Sequence, residues 1–420
     1  MRHCMALLTV ALVSACSLLA VAAEPPGNPD RGNSKLDRPG TKPAAPAKAA
    51  KAEEQPKQQK SEKPAAEKDR PRIQMAILLD TSNSMDGLIN QARTQIWKIV
   101  NEFAKASQEG QQPLLEVALF EYGNSRLDGE TGYVRKVVDL TDNLDRISEE
   151  LFALTTRGGQ ENCGWVIADA TRQLAWSKSG DDFKCIYIAG NEPFTQGKIN
   201  PDDACQKAIE AGIIVNTIHC GPYDVGVQTG WKRGADLADG SYVCIDQNQK
   251  VAAIAAPQDK ELAQLSAELN KTYVYFGDAQ QRESRRELQI RQDRLAGAAA
   301  PASAAERAQF KASGLYRAEN DLVEKIQSGG ADKLRELKPE QLPEELKGKS
   351  VEEQQAYLAE LAKKRAELQE RIKRLSAERN QYIAKAQADE AKEAGAESLD
   401  SAVIRTLRQQ LEKKNFSFEK

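Results

Sequence analysis

Histidine is almost missing from this chain. It has two in 420 residues, and only His219 lies beyond the first three positions. Hydrolytic metal centres lean on several imidazoles, so this scarcity argues against them. Phosphate-gripping signatures are missing too: there is no G-x-x-x-x-G-K-S/T loop and no G-x-G-x-x-G stretch. No C-x-x-C pair occurs, which argues against a structural zinc site or a thioredoxin-like redox motif. Charge of one sign is also lacking. The 59 Lys and Arg nearly balance 62 Asp and Glu, leaving −3, and no basic stripe invites nucleic acid. Beyond residue 23 no apolar run is long enough to span a bilayer.

What is present begins with an export signal. Met1 to His3 carry the early positive charge, Met5 to Ala23 are apolar or small, and Val21-Ala22-Ala23 precedes Glu24. That pattern predicts a secretory signal peptide over residues 1–23. Val13-Ser14-Ala15-Cys16 offers an alternative, a lipoprotein anchored at Cys16. Either way the chain is expected to be exported, periplasmic or secreted, with no transmembrane span once the signal is removed. Residues 24–71 are rich in Pro, Ala, Lys, Glu and Gln and hold no aromatic residue. Such a segment buries too little apolar surface to offset its ordering entropy, so it reads as a disordered linker.

Folded structure is expected from Arg72. A largely apolar run from Ile73 to Leu79 ends in Asp80, followed by Thr81, Ser82, Asn83 and Ser84. The run predicts a central strand buried on both faces of an α/β sheet. Ligands in such sheets bind just beyond the carboxyl ends of the strands. Asp80, Ser82 and Ser84 would then crowd onto one loop as hard oxygen donors, suited to Mg²⁺, Mn²⁺ or Ca²⁺ rather than zinc. A helix N-cap is the plainer reading, and it accounts for one such residue better than for three.

Asp80-x-Ser82-x-Ser84 after a buried strand resembles the von Willebrand factor type A (VWA) domain family. The resemblance continues downstream in alternating strands and helices: a helix near 87–108, strands 114–122 and 133–140, a helix after Gly158-Gly159, strand 185–189, helix 201–211 and strand 213–219. It covers residues 72–277 and implies a doubly wound, Rossmann-like sheet. It also implies a metal-ion-dependent adhesion site, where a cation held by the domain binds a partner's acidic side chain. The sequence departs from the family twice. The second loop reads Gly158-Gly159-Gln160-Glu161-Asn162, without the family's Thr, although Thr155 and Thr156 lie just upstream. The third reads Ala189-Gly190-Asn191, without the family's Asp. Asp80, Ser82 and Ser84 therefore carry over as metal ligands, with Thr156, Glu161 and Glu192 as possible substitutes. Gln160, Glu161, Asn191, Glu192 and Phe194 form the loops expected to meet a partner. The Gly190-Asn191-Glu192-Pro193-Phe194 turn also resembles bacterial exported proteins that follow a VWA domain with a helical tail.

Five cysteines fall inside this domain: Cys163, Cys185, Cys205, Cys220 and Cys244. Export would permit disulfides, and Cys163–Cys220 is the expected pair, since both lie at one edge of the sheet. Cys185, flanked by isoleucines, reads as a buried free thiol. Cys163 at a helix start, with His219 as base, is the rival reading: a thiol enzyme. Leu262, Leu265 and Leu269 predict a helix at 259–271, and Tyr273, Tyr275 and Phe276 read as core beside it.

From residue 278 the chain is dense in charge and free of cysteine. Helices are expected near 280–295, 304–327, 351–390 and 401–413. In the third, Leu361, Leu368, Leu375 and Tyr382 recur every seven residues, while Arg365 and Arg379 interrupt the seam of Leu358 and Ile372. A broken heptad predicts an antiparallel helical hairpin rather than a long coiled coil, one that dimerises or docks on an envelope component. The expectation is a non-enzymatic exported protein binding a protein or envelope partner, with a divalent cation as its possible cofactor. The alternatives are the thiol enzyme and a metal-free scaffold acting through its tail.

Overall fold

The computed structural model describes residues 70–245, 254–330, 332–390 and 399–418. The signal peptide, the Cys16 alternative and nearly all of the expected linker lie outside the described residues. The chain divides into two units, 1–61 and 62–420, and every described residue belongs to the second.

The sheet has six strands: β1 (Arg72–Asp80), β3 (Leu114–Tyr122), β4 (Val134–Thr141), β5 (Phe183–Gly190), β6 (Ile214–Cys220) and β7 (Tyr242–Ile245). A short β2 (Ala106–Gln108) lies outside it. The order is β4-β3-β1-β5-β6-β7, and every pairing is parallel except β3 with β4. β1 is central and buried on both faces, which is why it reads as an almost unbroken apolar run. Its pleat sends Ile73, Met75 and Leu79 into one core, and Ala76 and Leu78 into the other. This doubly wound α/β architecture agrees with the expectation.

On the first face lie α1 (Asp86–Ala104), α2 (Leu144–Ala153) and α7 (Asp259–Asn270). α1 buries Leu88, Ile89, Ala92, Ile96, Trp97, Val100 and Phe103, a stripe at three- and four-residue spacing. On the second face lie α3 (Cys163–Gln173), α4 (Pro201–Glu210) and α6 (Trp231–Leu237). The six-residue α5 (Tyr223–Gln228) sits at the edge where the strands end. The sequence reading named neither α2, α5 nor α6.

Beyond residue 277 the chain is helical: α8 (Ala279–Ala299), α9 (Pro301–Ala312), α10 (Leu322–Gly329), α11 (Asp332–Arg335), α12 (Val351–Glu390) and α13 (Leu399–Lys413), then strand β8 (Phe416–Phe418). The single helix expected over 304–327 is two. α9 stops at Ala312, and α10 restarts where the Asp321 carboxylate accepts from the Glu324 amide at 3.1 Å. No described helix is long and apolar enough to cross a membrane.

The helical C-terminal region is present as expected, and its long helix packs within the chain. α12 packs on α7 and α9 of its own chain, α13 packs on α1, and β8 pairs antiparallel with β2. The two arginines read as breaks are the physical reason. Leu358, Arg365, Ile372 and Arg379, each seven residues from the next, are all buried. Arg365 binds Asp321 at 2.6 Å and lies over the Tyr273 ring at 4.1 Å. Arg379 binds Asp259 and Glu306, each at 2.6 Å. These charges face Asp259 of α7, Glu306 of α9 and Asp321 at the start of α10, so this stretch of the seam packs within the chain.

α13 also closes the first face of the sheet. Val403, Leu407 and Leu411 are buried in the same core as β1 and α1. The Tyr187 and Thr406 hydroxyls meet at 3.0 Å, and the Asn216 and Gln410 amides exchange two hydrogen bonds of 3.0 and 2.6 Å. Tyr273 and Tyr275 are core, as expected.

Candidate cation and partner site

The β1 strand delivers Asp80 to the sheet's carboxyl edge, completely buried. Its Oδ1 accepts from the Ser82 amide at 2.8 Å. Its Oδ2 is buried and has no hydrogen-bond partner among the described residues. Burial raises its pKa to about 8; the Ser82 amide pulls it down, while Glu161 and Glu192 push it up. Three carboxylates from three loops therefore share one field. The Glu161 carboxyl, itself buried, is also raised, first by burial and then by Glu192.

Hydroxyls complete the loop. Ser82 Oγ and Ser84 Oγ lie 3.2 Å apart, and the Asn191 amide donates to Ser84 Oγ at 3.1 Å. Asn83 Oδ1 accepts from the Gly158 amide at 2.7 Å, and the Arg157 amide donates to the Thr81 carbonyl at 2.9 Å. These bonds tie the first loop to the second and third. Under them Tyr122 OH, fully buried, donates to the Ala189 carbonyl at 3.0 Å.

Three glycines make the close approach possible. A Cβ on Gly123 would lie 2.7 Å from Asp80 Oδ1, and one on Gly190 would lie 2.5 Å from Tyr122 OH. A Cβ on Gly159 would overlap the Gly123 carbonyl. Gly123 also has φ +80°, a backbone state that disfavours any side chain.

The structure brings Asp80, Ser82, Ser84, Asn191, Glu161 and Glu192 together. It does not bring Thr156: that hydroxyl donates to Asp86, on the rim of a separate hollow of about 250 Å³ that Arg93 also lines. Gln160 and Glu192 are exposed, as a contact loop requires, but Phe194 is not. It is fully buried against Trp231, ring centroids 5.0 Å apart, and anchors its loop from inside. Glu161 too points inward, so its part in partner contact is replaced by a part in the field around Asp80. Tyr122 and Gly123 escaped sequence reading, and Gly159 and Gly190 entered it only as loop positions; the close approach of separate loops is what singles all four out.

The donor set fits a hard divalent cation. It offers a buried carboxylate with an unpartnered oxygen, two hydroxyls and two further acidic side chains, all oxygen. Among the described residues no three His, Cys, Asp or Glu side chains form a ready-made metal cage, so hydroxyls would have to complete any shell here.

The thiol readings do not survive the geometry. All five described cysteines are free, and the expected Cys163–Cys220 disulfide is not formed. Cys163 Sγ lies 3.8 Å from Tyr122 OH, and burial pushes its thiol far above the usual range. The helix start that might have favoured a thiolate is outweighed by the loss of water. His219 gives Cys163 no help: it packs on Trp231, and neither ring nitrogen has a partner among the described residues. Cys185 is buried and free, as expected.

Solved structures similar to part of the chain include proximal thread matrix protein 1 from the mussel byssus, at 14% identity and TM-score 0.31, covering 41% of this chain and 41% of that one. BatB from Bacteroides thetaiotaomicron matches at 16% identity and TM-score 0.32, covering 41% of this chain and 90% of that one. The vWF domain of the type V pili tip protein Mfa5 from Porphyromonas gingivalis matches at 12% and TM-score 0.31, covering 42% and 90%. This chain thus spans less than half the length of the byssus protein. A search of curated proteins finds no match. The family model for the von Willebrand factor type A domain matches residues 74–283, half of the 420-residue chain. With that match, and with Asp80, Ser82 and Ser84 set on the edge of a doubly wound sheet, this chain belongs to the von Willebrand factor type A domain family.

Proposed function

We propose that this is an exported binding protein, not an enzyme, that engages a protein or envelope partner through a cation at Asp80. The observation that carries this reading is Asp80 Oδ2, a carboxylate oxygen buried without a partner among the described residues, beside two further carboxylates. A buried ionised carboxylate in such a field is costly unless a cation neutralises it. Asp80, Ser82 and Ser84 would hold a divalent ion, and Glu161 and Glu192 would supply the charge that the missing family ligands do not. The ion would provide a hard Lewis-acidic point for a partner's carboxylate. The chain's own residues fix the loop, keep the inner side dry and leave Glu192 and Gln160 facing outward.

The test is thermal unfolding of the full chain with Mg²⁺, Mn²⁺, Ca²⁺ or EDTA, beside Asp80→Ala. A ligand bound only by the folded state raises Tm with its concentration. The expected outcome is a cation-dependent rise in the parent that is lost in the variant. Equal Tm values under all conditions would remove the cation from this reading.

A further inference from the structure

His219, the only histidine beyond residue 3, is 1% exposed, and neither ring nitrogen has a hydrogen-bond partner among the described residues. A buried imidazole with both nitrogens unspent calls for an occupant. Its surroundings narrow what that occupant can be. Ile218 and Cys220 of β6, like Val243 and Ile245 of β7, belong to the core on the sheet's first face. The alternate positions His219, Tyr242 and Cys244 therefore share the second face. His219 and Cys244 are direct partners in the parallel register of the two strands.

Cys244 is a free, partly exposed thiol. It donates to Tyr242 OH at 2.9 Å, and that hydroxyl donates to the Tyr223 carbonyl at 2.7 Å. Gly226 of α5 closes over the cluster: a Cβ there would lie 2.1 Å from Tyr242 OH and 2.8 Å from the His219 ring. The imidazole and the phenol that touches the thiol thus press on one stretch of α5 backbone. Asp224 lends this corner negative charge, and Lys232, also near Tyr223, is paired with Asp236 at 2.6 Å. Burial lowers the His219 pKa, so the ring stays neutral with a lone pair to give.

Thiolate and imidazole together suit copper or zinc. The number of donors decides between them. Among the described residues no three His, Cys, Asp or Glu side chains meet. Zn²⁺ takes four ligands, whereas soft Cu⁺ accepts two in a line. Bonds of about 2.0 Å to nitrogen and 2.3 Å to sulfur span about 4.3 Å end to end, close to the roughly 4.8 Å between neighbouring strands. Charge agrees: Cu⁺ with one thiolate and one neutral imidazole is neutral overall, whereas Zn²⁺ would leave a positive charge away from water.

We infer that His219 and Cys244 form a two-coordinate site for Cu⁺, distinct in residues and in chemistry from the hard-cation loop at Asp80. On binding, the Cys244 S–H bond breaks, a sulfur–copper bond forms and the proton leaves to solvent. Copper stays Cu⁺ throughout, so no electron acceptor is required.

The experiment titrates the full chain with Cu⁺ against a chromophoric Cu⁺ chelator, without oxygen, beside Cys244→Ser, His219→Leu and Asp80→Ala. The parent and Asp80→Ala should each hold one more Cu⁺ per chain than Cys244→Ser or His219→Leu. Bound Cu⁺ should also shield Cys244 from a water-soluble thiol reagent, and X-ray absorption at the copper edge should show one nitrogen and one sulfur neighbour. The absorption spectrum needs no variant, so it decides the matter even if His219→Leu, at a buried position, fails to fold. Equal copper retention by the parent and Cys244→Ser would overturn the inference. A copper shell with sulfur but no nitrogen would do the same, as would displacement of Cu⁺ from the parent by Zn²⁺.

Discussion

Gly159 has no room for even one methyl group, because a Cβ would overlap the carbonyl of Gly123. Gly159→Ala must therefore move one of the two loops that frame Asp80. We expect it to cost about 1–3 kcal/mol in chemical denaturation and to abolish any cation-dependent rise in Tm. Thiol reactivity offers a second check. Cys163, Cys185, Cys205 and Cys220 are buried, while Cys244 is partly exposed. Among these five, only Cys244 should react with a water-soluble thiol reagent before unfolding. Rapid labelling of Cys163 in the folded chain would restore the thiol-enzyme reading. Asp80, Ser82 and Ser84 were legible in sequence because one loop carries them at alternate positions. The inward turn of Glu161, the Tyr122 strut and the burial of Phe194 were not. Each depends on which strand lies beside which, and no local spacing encodes that.

At the scale of elements, α12 shows how a pattern can be read correctly and interpreted wrongly. The seven-residue recurrence of Leu358, Arg365, Ile372 and Arg379 was visible, but the arginines looked like defects in a self-pairing seam. They are contacts: Arg379 answers Asp259 of α7 and Glu306 of α9. Arg379→Met should cost about 3–5 kcal/mol in urea unfolding, since it strands two carboxylates in a buried setting. Lys373→Ala breaks an exposed pair with Glu370 on the same helix, and the change should stay below about 0.5 kcal/mol. Equal effects would mean that burial does not govern these pairs. Strands were the most legible elements because alternation and apolar runs report them directly. α5 and α6 were missed because helices of 6 and 7 residues carry too few turns for a periodic signal.

For the whole molecule, the helices after residue 277 are held by charge as well as by apolar contact. Arg307 joins Asp145 of α2 at 2.6 Å to Asp293 of α8 at 2.5 Å, and Lys311 reaches Asp293 at 2.9 Å. Burial alone would raise the Asp293 carboxyl, but Lys311 and Arg307 outweigh it and hold the pKa at about 2, against an ordinary 3.8. A carboxylate depressed on folding adds stability above its unfolded pKa and loses it as pH falls toward the folded value. Its share at neutral pH is on the order of 2 kcal/mol, and it should disappear between about pH 4 and pH 2. Asp293→Asn should be less stable at pH 7 and show a shallower acid slope across that window. An unchanged slope would place the acid-sensitive groups elsewhere.

The position of α13 and β8 has a consequence for how the molecule is made. A ribosome delivers all six strands of the sheet before it reaches residue 399, yet Val403, Leu407, Leu411 and Phe416 belong to the core on one side of that sheet. Until they arrive, Tyr187 and Asn216 lack the hydroxyl and amide that satisfy them in the finished fold. The nascent sheet therefore waits with part of one apolar side uncovered beside α1, and its closure is deferred until residues 399–418 have been synthesised. Domains usually settle in the order of their synthesis; here the earliest strands depend on some of the latest residues. A chain cut short near residue 390 would display a binding edge on an unfinished body, and chaperones that recognise exposed apolar surface would meet it first.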